Sequence, residues 1–161
     1  MVISPAKTLD YESPLTTNSY SIPDYLENSA ELVEIMKKKS LQDLVNMMQV
    51  SQKIAELNVE RFKSWKLPFS PVNARQALLA FKGDVYTGLD TSTLSEEDFD
   101  YAQSHLRILS GLYGLLRPLD LIQPYRLEMG LKLNSKKTKT LYQFWGEKIT
   151  DGLKTILEQQ E

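Results

Sequence analysis

Ala77-Leu78-Leu79-Ala80-Phe81 runs directly into Lys82-Gly83-Asp84. A short, continuous apolar run closed by a glycine turn is the pattern of a strand buried on both faces. The segment before it is different in kind, because its apolar residues recur at helical spacing. A second run, Leu106 to Leu109, ends at Ser110-Gly111, and Val2-Ile3 forms a strand stub closed by Ser4-Pro5. Short buried strands with several surrounding helices give a mixed α/β (α+β) fold.

Working outward, Ser21 is placed to cap a helix, with Pro23 in its first turn and Asp24 three residues on. Its apolar face would be Leu26, Ala30, Val33 and Met36, and Lys37-Lys38-Lys39 lies where a helix C-terminus favours cations. Ser40 with Asp43 opens a second helix carrying Leu41, Leu44, Val45 and Met48. Ser51 opens a third with Ile54, Leu57, Phe62 and Trp65, stopped by Pro68 and Pro71. Ser95 with Asp98 caps a further helix. A last one begins near Thr140 and places Leu141, Phe144, Trp145, Ile149, Leu153 and Ile156 on one face.

The 161 residues are 42% hydrophobic and 25% charged, with a formal net charge of −2. These values fit one globular domain and remove the argument from an overall basic chain to nucleic acid. Without cysteine there is no disulfide, thiolate nucleophile or cysteine metal site, and one histidine, His105, rules out a histidine-rich one. No apolar run has the length of a membrane span or a signal peptide core, so the expectation is a cytoplasmic protein with no cofactor. Charge is unevenly placed. Asp84 to Asp100 holds acidic residues and no basic one, whereas His105 to Lys154 has a local excess of Lys and Arg. That second block is either a solvated face or an anion-binding one.

Leu106-Arg107-Ile108-Leu109-Ser110-Gly111-Leu112-Tyr113-Gly114-Leu115-Leu116-Arg117 is similar to a helix–hairpin–helix element, in which turn amides meet DNA phosphates without reading bases. A tight turn between buried elements is the competing interpretation. Arg117, Asp120, Tyr125, Arg126 and Glu128 then fall within twelve residues, with Pro118 and Pro124 restricting the backbone. They could form a structural ion-pair network, or position a small anionic substrate with Lys7 and Asp84. In an extended segment Arg126 and Glu128 share a side, which makes an ion pair between them the default.

The blocks Ser4-Pro5-Ala6-Lys7-Thr8-Leu9-Asp10, Phe81-Lys82-Gly83-Asp84-Val85-Tyr86, His105 to Gly130, and Leu141-Tyr142-Gln143-Phe144-Trp145 together resemble the bacterial YaaA family. The resemblance spans the chain in register. It implies a cytosolic protein of peroxide stress that keeps unincorporated iron low, and a binder of duplex DNA through a helix–hairpin–helix element in an unusual α/β fold. Members of the family continue well past residue 161 and begin with a longer first strand, so residues 1–161 are expected to be a single domain, the amino-terminal part of a longer chain. The residues expected to meet DNA or another anion are Lys7, Lys82, Arg107, Gly111, Gly114, Arg117, Arg126 and Lys132. The alternative is an enzyme acting on a small anionic or nucleotide-like substrate through Lys7, Asp84, Asp120, Tyr125 and Glu128. No metal ligands are expected, since one His and scattered carboxylates are a poor set for Fe(II).

Overall fold

A computed structural model describes residues 1–160. The elements run β1 (Val2–Ile3), β2 (Thr8–Leu9), α1 (Leu26–Lys37), α2 (Leu41–Met48), α3 (Gln52–Ser64), β3 (Arg75–Gln76), α4 (Ala77–Ala80), β4 (Phe81–Lys82) and α5 (Asp84–Leu89). After a 3₁₀ turn at Thr91–Thr93 come α6 (Glu96–His105), β5 (Arg107–Ser110), β6 (Gly114–Leu116), β7 (Leu121–Ile122), α7 (Leu141–Trp145) and α8 (Lys148–Gln159). The fold is mixed α/β, as the sequence implies. No helix among the described residues is long and apolar enough to cross a membrane.

Three small sheets hold the centre. β1 pairs parallel with β5 (Val2 opposite Arg107, Ile3 opposite Ile108), and β5 pairs antiparallel with β6. β2 pairs antiparallel with β4, and β3 with β7. One continuous cluster of buried apolar side chains joins these sheets to α1, α2 and α3, with Phe62, Phe99, Leu112, Tyr113 and Trp145 among its largest members.

The run Ala77–Ala80 is buried throughout, as its composition dictates, but it forms one helical turn rather than a strand. Burial cannot distinguish the two, and alanine and leucine are strong helix formers with no branching at Cβ. The free amides at the start of the turn are taken by distant carbonyls: Ala77 N–H donates to Asp120 O (2.8 Å) and Leu78 N–H to Pro118 O (2.9 Å). The extended backbone lies on either side of it, in β3 and β4.

Ser21 does not cap a helix. Its hydroxyl donates to Asp120 Oδ1 at 2.6 Å, and α1 starts only at Leu26 with no side-chain cap. On α3 the buried stripe is Ala55, Asn58 and Phe62, while Ile54 and Leu57 face outward. The final apolar helix is two helices, α7 and α8, separated at Gly146 (φ +53°).

Candidate functional site

The segment expected to be helix–hairpin–helix-like is strand–turn–strand: β5, the turn Gly111-Leu112-Tyr113, and β6. The turn is buried. Tyr113 OH accepts from Trp65 Nε1 (3.0 Å) and from the Gln123 amide (3.0 Å), and donates to Gln123 O (3.1 Å). A Cβ on Gly111 would lie 2.0 Å from Leu127 O, so glycine there admits the 125–129 segment, not a phosphate. Gly114 has φ +76° and lies beneath the Trp145 ring, whose Nε1 donates to Gly111 O at 2.9 Å. Both glycines are packing requirements of a buried hairpin.

The flanking arginines are also engaged. Arg107 Nη1 donates to Gln103 O and Leu106 O, each at 2.7 Å. Arg117 holds Asp120: its amide donates to Oδ2 (2.7 Å) and its Nε to Oδ1 (3.0 Å), while Nη2 reaches Ile22 O and Asp24. Asp120 is fully buried, and burial pushes its carboxyl above the ordinary range despite the bonds from Ser21 and Arg117. This cluster ties the chain near residue 21 to the start of β7. It is structural: Arg107 neighbours it through Gln103 and the charges of Arg117 and Asp120, and it is separate from the group around Glu128. Asp84, at the exposed start of α5, stands outside it too.

A second group does converge. Loop Pro5–Lys7, the end of β5, and the extended segment Tyr125–Met129 enclose a cleft of about 250 Å³. Lys7, Gly111, Tyr125, Arg126 and Glu128 all line it. The alternation of the extended segment works as expected: Tyr125 and Leu127 are buried, while Arg126 and Glu128 share the other side, with Arg126 Nη2 3.4 Å from Glu128 Oε1. Lys7 Nζ approaches the same oxygen at 3.6 Å. Tyr125 OH and Ser110 Oγ are 2.7 Å apart, and burial holds the Tyr125 phenol far above its usual pKa, so it stays protonated. Ser110 is not among the sequence-derived site residues, and nothing local marks it as one. Nearby depressions are lined by Arg61, Lys82 and Pro124. Burial lowers the Arg61 pKa and the charge of Arg126 lowers it further, so these two guanidinium groups are electrostatic neighbours.

A separate basic surface lies beyond the cleft. After the Glu128–Leu131 turn, residues 132–140 form a small hairpin in which Lys132 pairs with Thr140 and Leu133 N–H donates to Lys139 O (2.8 Å). Lys132, Lys136, Lys137 and Lys139 are exposed on it. Lys39 Nζ donates to Leu133 O and so brings the lysine tract at the end of α1 against this hairpin. Of these lysines only Lys132 is among the anion-binding residues that the sequence suggests. The Lys-Lys-Lys and Lys-Lys-Thr-Lys runs are visible in the sequence, but their adjacency is not.

No group of three or more His, Asp or Glu side chains disposed to hold a metal occurs among the described residues. A family model described as "Peroxide stress protein YaaA" matches residues 1–161, and with that match across its whole length the chain belongs to the YaaA family of peroxide stress proteins.

Proposed function

We propose that this protein serves peroxide defence in the cytoplasm by binding the phosphate backbone of duplex DNA, through the lysine surface formed by residues 37–39 and 132–139. The observation that carries this reading is the bond from Lys39 to Leu133 O, which unites two lysine runs separated by most of the sequence. A local field of this kind acts on a polyanion although the whole chain carries a net −2. Glu34 takes Lys37 at 3.2 Å, and the 132–139 hairpin contains no acidic residue.

Two helices joined by a short turn support the same reading, at a different place from the hairpin expected to meet DNA. α2 and α3 are joined by Gln49, in the left-handed conformation, and Val50, and the Ser51 side chain caps α3. Lys53 is exposed in the first turn of α3. This turn lies one α2 length, about 12 Å, from the lysine tract, so both could follow one stretch of duplex. Lysines that neutralise phosphates release condensed counterions. Where those ions include Fe(II), the iron that converts peroxide into a DNA-cutting radical is moved off the backbone.

The test is duplex affinity across a salt series. Replacing Lys132, Lys136, Lys137 and Lys139 together by alanine should weaken binding alike for all sequences. It should also flatten the slope of log affinity against log salt by roughly 3–4 units, at ~0.9 per phosphate contact. An unchanged slope removes this surface from the interface, and no measurable duplex binding by the unaltered protein removes the function.

A further inference from the structure

The cleft beside Lys7 contains a cation pair that its internal partner satisfies poorly. Arg126 and Lys7 both turn to Glu128 Oε1, at 3.4 and 3.6 Å, distances at the edge of or beyond a good hydrogen bond. Arg126 uses one terminal nitrogen, and its Nε is buried with no partner at all. A buried guanidinium N–H without an acceptor is costly, and the planar fork is shaped to hold two oxygens of one carboxylate at once. Glu128 supplies one. Its side chain is 40% exposed, so it has an open route into solvent.

The remaining walls are largely apolar, with Pro5, Leu109, Leu127 and Met129, and the Ser110–Tyr125 hydroxyl pair is set into one of them. About 250 Å³ accommodates a compact organic acid. We propose that this cleft binds a small carboxylate bearing an apolar body, whose carboxylate takes Arg126 and Lys7 in place of Glu128. Glu128 is then an internal stand-in that holds the cations until a ligand displaces it. The chain's own choice of a carboxylate at this position argues for that head group, and the apolar walls argue for a body behind it.

Benzoate is the probe, titrated into the intact protein and followed through the amide resonances of Ala6, Leu109, Gly111 and Met129. Saturable shifts in the millimolar range are expected with benzoate, and none with benzamide or with inorganic phosphate at the same concentrations. Arg126→Lys should weaken benzoate by about tenfold, because the fork is lost while the charge is kept. Glu128→Gln should tighten it severalfold by removing the internal competitor. No saturable shift in the unaltered protein overturns the proposal, as does equal binding of benzamide or phosphate. Weaker binding by Glu128→Gln overturns the displacement step. If Glu128→Gln fails to fold, the three probes on the unaltered protein still decide. The fourfold lysine variant should bind benzoate normally, so failure of the DNA reading and failure of this one are separately visible.

Discussion

Gly111 and Gly114 stand three residues apart and are required for different reasons. At Gly111 the obstacle is backbone: a methyl group would meet Leu127 O at 2.0 Å, and a carbonyl on an extended segment cannot rotate aside as a side chain can. Gly111→Ala should therefore cost about 1–3 kcal/mol in urea unfolding, the range of overpacked core sites. Because the displaced segment carries Arg126 and Glu128, the same substitution should disturb the cleft. Gly88, within α5, has nothing within 4 Å of its Cβ position. Gly88→Ala should leave stability unchanged or raise it by up to ~1 kcal/mol. Residue-scale features were legible where they depend on local geometry. The Arg126–Glu128 pair follows from alternation along an extended chain. The separation of Arg117 and Asp120 from that pair was not legible, since Ser21 and Asp24, which hold them elsewhere, are distant in sequence.

Helix starts were the most readable elements, because capping is chemistry within four residues. Ser40 with Asp43 and Ser95 with Asp98 form complete capping boxes, and Ser51 and Thr140 cap as their sequences imply. The backbone amides of Ser40 and Ser95, assisted by their hydroxyls, hold the Asp43 and Asp98 carboxyls below their usual pKa. A carboxyl whose pKa is lower in the folded chain adds stability above its unfolded value, about 3.9. That contribution disappears as pH falls through the lower, folded value. A double Asp43→Asn, Asp98→Asn variant should thus be less stable than the unaltered protein at neutral pH, with the difference shrinking below about pH 4. Asp120 has the opposite sign, since its raised pKa makes the folded chain bind protons first, but it is common to both proteins and cancels. What makes Ala77–Ala80 a helical turn rather than a strand is not local in sequence. The carbonyls of Pro118 and Asp120 that complete its helical turn come from another part of the chain.

At the scale of the whole molecule, composition and periodicity specified mixed α/β architecture but not which loops meet. The lysine surface needs α1 beside the 132–140 hairpin, and the cleft needs the loop after β1 beside the segment after β7. Neither adjacency has a local signal. The parallel pairing of Val2–Ile3 with Arg107–Ile108 bears on how the protein is made. On the ribosome, Val2–Ile3 have no strand to join until α6 and β5 have been translated. At ~5–20 residues per second, that wait is on the order of ten seconds. During it, this strand is unpaired and available to proteases and to holding chaperones. Ribosome-arrested chains ending before Arg107 should be cut by a protease around Val2–Ile3, whereas chains long enough to extrude β5 and β6 should resist.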